Sequence, residues 1–402
     1  MKHKHLDRQG PSKQKKRFSL HALIVTGALS AVAATLLLIL GVGKVLGTEG
    51  LSLLQAAFLV KSQFVGEYDS GKVIDETLDS MVASLGDRWS YYLDKDEYIQ
   101  VSQTRANEFV GIGVTVSSKS GEDIYIMSVM EDSPAQRAGL QSGEYIRGVN
   151  GVTVTGETRA SCVQDIGGPE GETVTLEIEG TDGLRRVVDI VREMVHTVSV
   201  ASELLPDGTG LVRIKNFYSG SGDALETQVK NLIDQGASQL IFDVRDNPGG
   251  YVAEVTQMLD YLLPEGKIFI QQDLGGHEKV YTSDASYVDL PFGVLVNQDS
   301  YSAAELFAAQ LRESAGAIIA GAQTSGKGYA QQLFPLANGG ALGISTSRYF
   351  TGGGHCLIGV GLNPQPLIQA SDEERSLLQA GHLTHEEDSQ LQALLKAMGS
   401  AS

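Results

Sequence analysis

The sequence predicts an α/β core of mixed sheet and helices that carries a mostly-β insert, a helical region before it and one N-terminal transmembrane helix. Three observations predict this. Residues 198–370 alternate strand-like and helix-like runs, with LIFDVRD so apolar that it suits a sheet covered on both faces. Residues 109–197 instead show short alternating runs (VGIGVTV, IYIMSV, VTLEIEG, RRVVDIV) broken by Gly, Pro and acidic turns. Residues 22–43 form an uncharged, mostly apolar run behind a basic leader.

Each element follows in order. Residues 1–20 form the basic segment: the first 19 hold seven Lys or Arg against one acid, Asp7. The apolar run after them, about 22 residues long, would measure about 33 Å as a helix and can cross a hydrocarbon core of about 30 Å. It exceeds the apolar stretch of a cleaved signal peptide and lacks a clear small-x-small site at its end, so residues 21–47 read as a signal anchor rather than a cleaved signal. The basic flank then stays in the cytoplasm and everything after Lys44 lies outside it.

Residues 48–108 read as helical from the spacing of LSLLQAAFLVKSQFV and VIDETLDSMVASL, followed by an aromatic cluster, RWSYYLDKDEY. Within 109–197, Ser133-Pro134 starts a short helix, since Ser caps and Pro fits the first turn. In 198–370 the helices are DALETQVKNLIDQG, VAEVTQMLDYLL and AAELFAAQLRESA, and the strands include LVRIKNF, KIFI, GVLVN and AIIAG. Residues 371–402 turn polar and acidic and read as a peripheral helical appendage.

Charge excludes one class of function. The net charge is −18 although the leader is basic, so the remainder is more acidic still and repels phosphate backbones; no nucleic-acid partner is expected. The two cysteines, Cys162 and Cys356, are too few for a disulfide scaffold and lack metal spacing; one bridge or two buried free thiols are the alternatives. A zinc cluster is therefore not expected.

Three Gly- or Ser-bearing turns follow apolar strands in the 198–370 region. Ser302 stands where the strand VLVN passes through a polar turn into a helix, so it either caps that helix or attacks a carbonyl, with the Ala303 N–H beside it. Asp246-Asn247-Pro248-Gly249-Gly250 is either an ordinary turn or a close backbone approach in which Gly249 or Gly250 donates to an oxyanion. Lys327, between two glycines, is either a solvated charge or, if buried, an amine whose pKa falls far enough to act as a base. Gly321, Gly326 and Lys327 also have phosphate-loop spacing, but Gly328 replaces the metal-binding hydroxyl and YAQQLFPL is a poor helix. There is no G-x-S-x-G elbow, and HEEDS near His382 and His385 is not H-E-x-x-H.

The string FVGIGV, then SPAQRAGLQSGEYIRGVNGV, then GGPEGETVTLEI resembles a PDZ domain, whose Gly-containing loop takes a chain terminus. Here that loop is Val110, Gly111, Ile112 and Gly113. LIFDVRDNPGG, LVNQDSYSAAELFAAQL, GAQTSGKGYAQ and ISTSRYFTGGG resemble, in order and separation, the carboxyl-terminal processing (tail-specific) serine proteases. The resemblance implies Ser302 as nucleophile, Lys327 as base and Gln331 as the residue orienting it. It implies cleavage of exported proteins near free C-termini, PDZ recruitment of the substrate, and a homodimer built on helical ends. Asp246, Tyr301, Ser325 and the GGG of 352–354 depart from the family pattern and bear on preference and gating. The rival is a PDZ-bearing scaffold that holds termini without cutting them.

Overall fold

The structure is a computed structural model and describes residue 44 and residues 47–117 and 123–399. The expected anchor at 21–47 and the basic leader therefore fall almost wholly outside the described residues. The described chain divides into two units, 1–70 and 71–402, of which the first contributes a helix over 47–63. Among the described residues no helix is long and apolar enough to cross a membrane.

The second unit is organised by a five-stranded sheet in the spatial order Val200–Leu204, Thr209–Ile214, Gln239–Asp243, Phe292–Val296, Ile318–Gly321. The first pair is antiparallel and the rest are parallel. Leu240, Ile241 and Phe242 are all fully buried, as are Val294, Leu295 and Val296. Alternate side chains of a strand point to opposite faces, so such runs require a layer on each side. On one face lie the helices Ser221–Asp234, Val252–Leu262 and Ala303–Ala315, which bury Leu225, Val229 and Leu232, then Val255, Met258 and Leu259, then Leu306, Phe307 and Leu311.

The other face is covered by the chain's C-terminal helix, Ser389–Gly399. Its Leu391, Leu394 and Met398 pack with Leu211, Ile241, Leu295 and Ala320. This corrects the expectation of a peripheral appendage: an acidic, polar segment carries three apolar residues at helical spacing, enough to close the sheet's second face. Leu394→Ala is expected to cost about 2–5 kcal/mol in urea unfolding, the range for emptying a fully buried leucine site. A change under about 0.5 kcal/mol would mean the helix is not seated there.

A second sheet is antiparallel and joins Tyr91–Leu93, Ala341–Thr351, Gly266–Asp273 and Glu278–Ser283, with Tyr329–Pro335 also paired to Ala341–Thr351. The sequence reading named only parts of it. Glu108–Gly111 and Glu193–His196 pair as a two-stranded sheet, and a six-stranded sheet begins at Val114–Val116 and ends at Arg185–Val191, around a core of Ile112, Ile124, Ile146, Leu176 and Ile178, among others. The short helix predicted at Ser133-Pro134 is present as Pro134–Arg137, and the Ser133 hydroxyl accepts from the Gln136 N–H. Both cysteines are free; Cys162 is buried as expected, whereas Cys356 is exposed, because it lies in the turn after Ala341–Thr351.

Candidate active site

Three neighbouring parallel strands, Gln239–Asp243, Phe292–Val296 and Ile318–Gly321, point their carboxyl ends toward the turns that hold Gly249-Gly250, Ser302 and Lys327. Open α/β sheets place ligands at such ends. A cleft of about 710 Å³ opens there, lined by Gly250, Ser302, Ala303, Lys327, Gln331 and Tyr349 among others.

Ser302 precedes the helix Ala303–Ala315 with φ 61° and ψ −120°, a backbone conformation rare for a residue with a Cβ. Such strain persists only where the surroundings hold it. They do so here through Asn297, whose side chain accepts from the Asp246 N–H at 3.0 Å and donates to Asp246 Oδ1 at 2.8 Å, and through the Tyr301 N–H, which donates to the Asn247 carbonyl at 3.2 Å. Asp246 itself sits at φ 57°, which an Asp tolerates better than most residues.

The two glycines of the first turn differ. The Gly249 N–H donates to Asn247 Oδ1 at 2.8 Å, so it is spent inside the turn. For the Gly250 N–H, and for Ala303 at the first helical position, no acceptor is found among the described residues. The N–H groups left without an acceptor beside Ser302 are therefore those of Gly250 and Ala303, whereas that of Gly249 is engaged. Gly250 must be glycine on packing grounds as well, since a Cβ there would lie 2.2 Å from the Phe217 carbonyl oxygen.

Glu305, fully buried one turn into the same helix, ties the Ser302 turn to the Lys327 turn. Its Oε2 accepts from the N–H of Ser302 at 3.0 Å and from the N–H of Lys327 at 2.9 Å; its Oε1 accepts from the Gly326 N–H at 2.8 Å and from the Thr324 hydroxyl. Burial pushes the Glu305 carboxyl above its ordinary value, against the pull of these four donors. The sequence offered a signal for this residue, the S-x-x-E capping-box spacing of Ser302 and Glu305, but not its second turn of partners. Glu305→Gln presents an amide where two N–H groups need an acceptor. It is expected to lower kcat about 100-fold, the cost of an ångström-scale misplacement; an unchanged kcat in a folded variant would show that the shared carboxylate is not needed.

Lys327 is half-buried. Burial, seconded by the charge of Arg105, pulls its pKa down to about 8, against the opposing pull of Asp87 and Glu305. Its amine lies 4.7 Å from the Trp89 ring centre and 5.4 Å from that of Tyr301, within cation–π range. Among the described residues no hydrogen bond joins it to the Ser302 hydroxyl or to Gln331. Gln331, the expected orienter, lines the cleft but donates to the Tyr329 carbonyl at 3.0 Å and to Ser345 Oγ at 3.2 Å. Tyr349, buried, donates to the Lys327 carbonyl and faces the Ser302 hydroxyl, a placement the sequence did not indicate. The segment after Lys327 is the strand Tyr329–Pro335, which leaves no helix for a phosphate loop.

Of the residues expected to take a peptide terminus, Val110 and Gly111 belong to the strand Glu108–Gly111, paired with Glu193–His196. Ile112 and Gly113 leave that ladder, with their carbonyls held by the N–H groups of Ala135 and Met130. The strand that follows, Val114–Val116, is at the end of its sheet and among the described residues pairs only with Ile124–Val129.

Residues 208–367 match peptidase family S41 and residues 99–179 match the PDZ domain. The carboxy-terminal processing protease CtpA of Bacillus subtilis (strain 168) is 29% identical over 368 residues, 89% of this chain and 78% of that protein. The chain belongs to peptidase family S41, the carboxyl-terminal processing serine proteases. A CtpA-like serine protease of Staphylococcus aureus (strain N315) is 30% identical over 315 residues, 77% of this S41 chain but 63% of the staphylococcal one. A solved structure from Bacteroides fragilis NCTC 9343, assigned to the S41 proteases, shares the fold with a TM-score of 0.57 at 18% identity, covering 84% of this chain and 93% of its own.

Proposed function

We propose that this S41 chain is a membrane-anchored serine endopeptidase that cuts exported proteins near their C-termini by a Ser302–Lys327 dyad. The observation that carries the dyad is the single Glu305 oxygen that receives the N–H groups of both residues, so nucleophile and base are set by one buried anchor. Neutral Lys327 takes the Ser302 proton as Oγ attacks the peptide carbonyl. The N–H groups of Gly250 and Ala303 hold the oxyanion. The resulting ammonium returns its proton to the leaving amine, and water then releases the acyl group from Ser302. Because the amine rests over Trp89 and Tyr301, its side chain has to swing toward Ser302 before this step. Gln331 takes part as orienter once its amide turns from Ser345.

The PDZ domain recruits the substrate. The terminal segment adds as a strand beside Val114–Val116, an end strand, with its carboxylate at the loop Val110–Gly113. The anchor at 21–47, the extracytoplasmic location of the catalytic region and the homodimer belong to the same proposal. They rest on the charge and length of the N-terminal run and on the family resemblance.

The test is the pH profile of kcat/KM on an unfolded protein with an apolar tail. Only neutral Lys327 accepts the proton, so activity is expected to rise with pH and to level above about 8. A profile flat from pH 6 to 10 rules out the amine as base. Complete inactivity of the wild-type chain, with tight binding of the tail, instead favours the scaffold reading.

A further inference from the structure

The cleft holds a second cation that the dyad does not use. Arg105 closes the helix Lys95–Arg105 and lines the cleft with Tyr218, Ser219 and Tyr251, in the same cavity as Ser302 and Lys327. Its Nη2 donates to the Tyr91 hydroxyl at 2.8 Å, and no carboxylate among the described residues pairs with it. Glu254, the carboxylate in the cleft lining, is already engaged: it accepts from the Gly220 N–H at 3.1 Å, the Gly222 N–H at 2.8 Å and the Ser221 hydroxyl at 3.3 Å.

A protein of net charge −18 thus keeps, beside its nucleophile, a half-buried guanidinium with no counter-ion. Such a group is favoured when a ligand brings an anion, and its planar fork of donors matches a carboxylate. A peptide carries that anion at its own end. The bond cut by Ser302 has the substrate's C-terminus on its departing side, so a terminal carboxylate that reaches Arg105 belongs to the fragment being released.

We propose that Arg105 is a carboxylate subsite of the catalytic cleft, which binds the departing end of the substrate independently of the PDZ domain. Short peptides that end just beyond the scissile bond are then substrates in their own right. A long tail, once trimmed, can be trimmed again without returning to the PDZ loop. An Asp or Glu side chain at the last position offers the same chemistry. This inference rests on the Ser302 reading above.

The test uses the full-length chain and three peptides too short to reach the PDZ loop from Ser302: a free acid with an uncharged last residue, its C-terminal amide, and the same amide with that last residue replaced by Glu. Rates are taken at about pH 9, above the titration of Lys327, because Arg105 also acts on that amine. The free acid is expected to exceed the plain amide in kcat/KM by about 10-fold or more, as a charge-assisted contact provides. In Arg105→Gln the ratio falls toward one, and Arg105→Lys keeps part of it. If the Glu-ended amide matches the free acid, the subsite reads either carboxylate; if it matches the plain amide, it reads the terminus alone. Both results support it. Equal rates for acid and amide in the wild-type chain, with Ser302→Ala inactive, overturn the subsite and leave the protease reading intact. A fall of all three peptides in proportion in Arg105→Gln also overturns it, as a structural effect. Turnover that persists in Ser302→Ala overturns the reading beneath it.

Discussion

Ser302→Ala is expected to lower kcat by about 10⁶-fold, and Lys327→Ala by a similar factor, with the double variant little worse than either. The reason is that in the proposed dyad the two act in one step: without the amine the hydroxyl keeps its proton, and without the hydroxyl the amine has nothing to deprotonate. Single-turnover rates on a tailed substrate measure this directly. A Lys327→Ala enzyme within tenfold of wild type would remove the amine from the mechanism. Stability provides an independent reading. Lys327 titrates at about 8 in the fold and near 10.5 when unfolded, so below pH 8 the fold carries the cost of a half-buried ammonium. Between those values the unfolded chain binds more protons, and stability rises with pH. Lys327→Met is therefore expected to raise the melting temperature at pH 7 and to lose most of that gain by pH 10. An equal gain at both pH values would mean the effect is packing.

Arg245→Met is expected to cost about 3–5 kcal/mol, since it takes the close cation from two buried carboxylates and leaves Asp243 only the Arg213 guanidinium at 3.6 Å. Arg245 is 4% exposed, Asp243 3% and Asp388 5%. The guanidinium donates to Asp243 at 2.9 and 2.8 Å and to Asp388 at 3.0 and 2.7 Å, and also reaches Gln390 at 3.1 Å. Burial would raise the Asp243 pKa, but the charge and hydrogen bonds of Arg245 outweigh it and hold it below the ordinary 3.8. That contribution is complete above the unfolded value and is lost as pH falls through the depressed one. Urea unfolding at pH 7 and near pH 3 tests both points: the wild-type advantage over Arg245→Met should shrink in acid. Arg245 also immediately precedes the Asp246–Gly250 turn, so the C-terminal segment that supplies Asp388 and Gln390 braces that turn. An Asp388→Asn variant with unchanged stability would place this brace elsewhere.

Local pattern carried the sequence reading a long way. The apolar runs LIFDV and GVLV, too dense for a half-exposed sheet, indicated a covered parallel sheet, and the Ser, Gly-Gly and Lys turns after three such strands indicated where a cleft opens. Those signals are short-range: burial shows in composition, turns in Gly and Pro, helices in spacing. The S41 resemblance selected Ser302 over a helix cap and Lys327 over a surface charge, which the residues alone left open.

What sequence by itself determined is the menu: a covered α/β sheet, a mostly-β insert with a Gly-containing loop, and a serine, a lysine and paired glycines on turns. Only the tertiary structure decided which of these groups are free to act. Gly249 has its N–H taken by Asn247 while Gly250 does not, Glu305 reaches Gly326, 21 residues away, Trp89 and Tyr301 shelter the lysine, and an acidic tail becomes the sheet's second face. The Gly249 bond is local, two residues along the chain, but the other three share one physical reason. Hydrogen-bond partners and burial are set by residues distant in the chain, and no local periodicity records which distant atom will arrive first.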